Sequence, residues 1–205
     1  MNGEHERGRP PGASSQSDQQ AVESGASDSE WLRYASRPLP AYRFVPGVTP
    51  HPRRHPGGHS YGQPEPAISV PAPDQWQTSD AYLYGVDLYN FAFWWECHEV
   101  FEGFWRAAPK TEQGCFFQAL IHVAAANLKI CMGSPASADR LSLAALERFQ
   151  TLPQIYMGID VRGFEHAMRA YVAGSREEPA LIRLLTSADR RGTNRTIQTG
   201  LSQDR

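Results

Sequence analysis

Ten of the 16 prolines in this chain fall between Pro38 and Pro73. Proline lacks a backbone N–H and disfavours helical geometry in the residue before it, so no helix propagates through such a stretch. The segment has to be extended. It nevertheless carries Tyr42, Phe44, Val45, Tyr61 and Ile68, side chains for which a solvated linker has little use. Residues 38–77 are therefore read as an extended, basic arm docked on a folded domain. Residues 1–37, rich in Ser, Gln, Gly, Glu and Asp and without apolar periodicity, are expected to be disordered, as is the tail 188–205.

The arm's charge says where it docks. Between Trp31 and Pro64 there are five arginines (33, 37, 43, 53 and 54) and no Asp or Glu, whereas Thr78 to Ala108 holds Asp80, Asp87, Glu96, Glu99 and Glu102 against Arg106 alone. A basic arm beside an acidic segment of the same chain suggests intramolecular docking. The rival use of the arm is phosphate binding through Arg43, Arg53 and Arg54. His51, His55 and His59 recur every fourth residue. With Pro52 and Pro56 between them they form no helical face, and a surface-docked loop suits them better than a metal site.

Residues 78–187 read as helices. Ser79 and Asp80 offer caps for a first helix through Tyr82, Val86 and Tyr89. A turn at 90–93 leads to a second helix ending before Pro109. Thr111 and Glu112 open a third, stopped at Gly133. Ser134-Pro135 opens a fourth and Asp160 a fifth, and Pro179 to Thr186 is expected to form a short sixth. Short connections favour antiparallel neighbours. The predicted fold class is all-α, a compact antiparallel bundle of about five to six helices.

The second helix carries the chemistry. Residues 78–108 hold 10 of the 22 aromatics. On a wheel centred on His98, Glu102 lies about 40° away and Trp105 about 20°, with Trp94 about 40° on the other side. An imidazole and a carboxylate in an aromatic face are costly unless they are partnered. They could bond to each other at i,i+4. They could line a small-ligand pocket with Trp94, Trp105 and Asn90. Or they could hold a divalent metal with His122 of the third helix, Glu99 acting as base. His98 to Glu102 is not the His-Glu-x-x-His of zinc proteases, because Glu102 takes the fifth position.

Other classes recede. The N-terminus lacks the apolar core of a signal peptide, and Ala119 to Ile130 is interrupted by His122, Asn127 and Lys129, so no membrane span is expected. Cys97, Cys115 and Cys131 fit neither a disulfide framework nor a zinc knuckle, which suits a reducing cytoplasm. A net charge of -2 ranks nucleic acid last among the partners.

Several separated blocks recur in order in one known family. They are Tyr84-Gly85-Val86-Asp87-Leu88-Tyr89-Asn90, then Trp95-Glu96-Cys97-His98-Glu99-Val100-Phe101-Glu102-Gly103-Phe104-Trp105, then Phe117-Gln118-Ala119-Leu120-Ile121-His122-Val123-Ala124-Ala125-Ala126, in which His122 is not a fixed part of the pattern. Together they resemble the domain of unknown function 309 family. Tyr42 to Gly47 and Gly58 to Gly62 resemble the extension of its longer members. Cys97 and Ala119 stand where the pattern usually has Ala and Gly. The resemblance implies an all-helical, soluble, prokaryotic-type protein and supplies no activity. The favoured function is a small-ligand-binding or interaction module whose His/Glu/Trp pocket is covered by the arm. A metal-dependent hydrolase using His98 and Glu102 is the alternative. No cofactor is predicted; only the alternative reading calls for a divalent metal.

Overall fold

A computed structural model describes residues 33–185. The expectations for residues 1–32 and 186–205 lie outside that range. Among the described residues there are six helices and one two-residue hairpin. A 3-10 helix at Pro73–Thr78 leads into α1 (Asp80–Asn90), whose N-terminus is capped by Ser79 Oγ accepting from Tyr82 N. Asn90 ends α1, and Ala92 turns the chain with φ 62° into α2 (Trp94–Ala107). Thr111 Oγ1 accepts from Gly114 N at 2.9 Å to open α3 (Glu112–Cys131). Gly133, at φ 69°, stops it, and Pro135 occupies the first turn of α4 (Pro135–Phe149). Strands β1 (Ile155–Tyr156) and β2 (Ile159–Asp160) pair antiparallel. Met157 and Gly158 between them both have positive φ, 45° and 81°, the geometry that tight hairpins demand. Asp160 then caps α5 (Val161–Val172) through Gly163 N.

The core is built around α3, which packs on both α2 and α4, while α1 packs on α2 and α5 on α4. Alternating Ala and large apolar residues let α3 bury most of its circumference. By length and composition α3 could also cross a membrane, but 56% of the qualifying stretch is buried inside the protein, as in the central helix of a folded domain. Phe117 stacks on Phe104 of α2 with ring centres 4.5 Å apart. Tyr82 is fully buried among Trp76, Phe101, Phe116 and Phe117. Its hydroxyl donates to the Met157 carbonyl at 2.8 Å, and burial pushes that phenol well above its ordinary value.

The sixth helix is not where the residues after Pro179 suggested. Residues 179–185 form no helix and carry one isolated bridge at Leu184, and the 3-10 turn at Pro73–Thr78 makes the sixth helix instead. Tertiary partners override the local helix preference. Asn90 clasps Ile182 through both amide atoms, donating to its carbonyl at 2.9 Å and accepting from its N–H at 2.8 Å. Leu185 N donates to the Gly158 carbonyl, and Leu184 pairs with Ile159. Asn90, a candidate pocket residue by sequence, is thus engaged with this strand-like segment.

Candidate functional site

Two buried carboxylates on the helical hairpin receive the arm, whose docked part begins at Arg33 and so takes in residues 33–37, expected from the sequence to be disordered. Asp87 on α1 is wholly buried. Its oxygens accept from Tyr34 N at 2.8 Å and Ala35 N at 2.9 Å, with Arg33 Nε at 3.4 Å. Glu96 on α2 is 5% exposed. Its Oε1 accepts from Phe44 N at 2.9 Å and lies 3.0 Å from His59 Nε2, while Oε2 is buried with no hydrogen-bond partner among the described residues. Backbone N–H groups held on a carboxylate are charge-assisted bonds, and they stand in for the ladder that the prolines forbid. Phe44 and His51 close over Trp95, the ring centres 5.1 and 5.3 Å away. Tyr84 Oη donates to the Pro38 carbonyl at 3.1 Å.

Arg33, Arg37 and Arg43 are used in the same docking. Arg37 lies over the Tyr84 ring and Arg43 over the Phe93 ring. Arg53 donates to the Gln63 carbonyl, and Arg54 is exposed. His51 and His55 accept backbone N–H bonds within their own turns. The sequence marked neither Asp87, Glu96 nor His59 as a site residue. The charge asymmetry was the signal that could have found the two acids.

On the next face of α2, His98, Glu99 and Glu102 come together. Each offers one ligand atom, and those atoms lie within 4.8 Å of one another. His98 does not bond Glu102. Its Nδ1 is 3.5 Å from Glu99 Oε1, without hydrogen-bond geometry, and is buried without a hydrogen-bond partner among the described residues. Glu102 Oε1 is 3.0 Å from Arg106 Nη2. The side chains of the three are between about a fifth and a third exposed, 32% for His98, 31% for Glu99 and 22% for Glu102. Partial exposure leaves a path for an ion. Trp94 is buried in the core and Trp105 is packed at its edge.

His122 on α3 stands outside the tight group but senses it. Burial first, then the charges of Arg148 and His98, hold its pKa below the ordinary histidine value, opposed by a hydrogen bond to backbone at Ala144. Its Nδ1 is buried with no hydrogen-bond partner among the described residues. Gln118, one turn earlier, accepts from Arg148 Nε at 2.7 Å, a bond between α3 and α4.

Residues 82–141 match the family model described as Domain of unknown function (DUF309). The DUF309 match runs from α1 into α4 and contains Asp87, Glu96, His98, Glu99, Glu102 and His122. The arm lies outside it. No curated protein matches the chain.

Proposed function

We propose that this chain is a helical module that binds a divalent cation on α2, at the edge of the docked arm. The observation that carries this reading is the convergence of His98, Glu99 and Glu102 ligand atoms within 4.8 Å. One imidazole with two carboxylates suits manganese, iron or zinc better than magnesium or calcium. Two carboxylates so close repel each other, and a cation removes that repulsion. The His98 Nδ1, buried without a hydrogen bond among the described residues, gains a partner. The three ligands fill only part of a coordination sphere, so the site keeps positions open for a further ligand.

The test is metal analysis of untagged protein after dialysis against manganese or zinc. One equivalent is retained, and the thermal midpoint rises with metal concentration as ligand linkage requires. His98→Ala and a Glu99→Gln/Glu102→Gln double variant lose both effects. Absence of uptake by the parent chain removes the reading.

A further inference from the structure

The arm and α2 enclose a small cleft beside the candidate cation group. Arg53, Glu65 and Ile68 of the arm face Glu99, Gly103 and Arg106 of α2 around about 80 Å³, several times the room that one water needs. Glu99 belongs to both the cleft and the cation group. Arg106 ties the two together, with Nη2 3.0 Å from Glu102 Oε1 and Nη1 4.0 Å from Glu65 Oε2. Gly103 lets the arm close on α2 at the cleft's edge, since a Cβ there would stand 2.7 Å from Ile68 Cγ1.

Charge decides what this cleft can hold. Among the arginines and glutamates here, two arginines (Arg53 and Arg106) stand against three glutamates (Glu65, Glu99 and Glu102), an excess of one negative charge that repels an anion. A divalent cation on the group reverses that excess. It also competes with Arg106 for Glu102, which frees the guanidinium to turn into the cleft. Resting on the cation reading above, we infer that the cleft seats a phosphoryl group. The guanidinium forks of Arg53 and Arg106 hold its oxygens bidentately. One oxygen fills an open position of the cation. Binding is ordered by electrostatics, the cation first and the phosphoryl group after it.

The test is equilibrium dialysis of radiolabelled inorganic phosphate against the untagged full chain, with and without saturating manganese, metal being assayed in the same cells. Manganese should tighten phosphate retention by about tenfold or more, and Arg53→Ala and Arg106→Ala should each weaken it by about tenfold while manganese is still retained. Arg106→Gln is the milder variant, and circular dichroism confirms that each variant keeps its helices. Manganese retained with phosphate binding indifferent to it, or to both arginines, overturns the phosphoryl seat and leaves the cation reading standing. Displacement of phosphate by equimolar acetate overturns it in favour of a carboxylate ligand. No manganese uptake overturns the cation reading and this inference together.

Discussion

Glu96 points away from His98 on the α2 wheel and would be solvated if the helical bundle were the whole protein. Instead it is 5% exposed, because the arm covers that side. Its Oε1 holds both Phe44 N–H and His59 Nε2. Removing it strands a buried donor and a buried imidazole together. Glu96→Ala should therefore cost about 2–4 kcal/mol, read as a lower urea midpoint. Glu96→Gln keeps an acceptor for Phe44 and should lose less. Equal stability of the Ala variant and the parent would mean that this carboxylate does not hold the arm. His122 gives a second residue-level expectation. Its folded pKa lies below the ordinary value of 6.5, so between the two values the unfolded chain binds more protons. The stabilisation is present above the ordinary value and is lost as pH falls through that window. The urea midpoint of the parent should fall more between about pH 7.5 and pH 5 than that of His122→Gln. Parallel pH profiles would contradict this.

At the scale of elements, two glycines of the hairpin separate two kinds of packing. A Cβ on Gly85 of α1 would stand 2.7 Å from Phe101 Cε1 and 3.1 Å from Val100 Cγ1, and both rigid helices would have to move. Gly85→Ala should lose about 1–2 kcal/mol in thermal denaturation, overpacking outweighing the better helix propensity of alanine. Gly103→Ala meets only Ile68 of the extended arm, which can shift, so its stability should stay within about 1 kcal/mol of the parent. Equal losses for the two would mean that the arm is as unyielding as a helix. The helix boundaries were legible because Ser79, Thr111, Pro135 and Asp160 act locally, through caps and a fixed φ. That His98 and Glu102 do not pair was not. A wheel places residues on one face without saying that Arg106, one turn on, takes the carboxylate. Burial of Glu96 was equally invisible on that wheel, since a second apolar surface, the arm, approaches from far away in sequence. The segment 179–185 escaped for the same reason: its partners, Asn90, Gly158 and Ile159, are remote.

For the molecule as a whole, the arm is bound to α1 and α2 by groups that are themselves part of the core. Tyr34 reaches the C-terminal segment, its hydroxyl accepting from Leu184 N at 3.0 Å. Asp87, which holds the arm's start, sits on the helix whose Tyr89 Oη accepts from Asn127 of α3 at 3.1 Å. With buried charge on the helical side of the junction, undocking the arm while leaving the helices intact would expose Asp87 and Glu96 beside apolar surface. Unfolding should therefore be a single cooperative step across the described residues. Trp95, against Phe44 at 5.1 Å, contributes an arm-sensitive signal to tryptophan fluorescence, and far-ultraviolet circular dichroism reports the helices. The two urea transitions should coincide. Phe117→Ala, deep in α3, should lower both by about 3–5 kcal/mol. Phe44→Ala, which keeps its backbone bond to Glu96, should lower both by a smaller amount. Two resolved transitions, with Phe44→Ala moving only the fluorescence one, would instead mean that the arm docks and releases as a unit of its own.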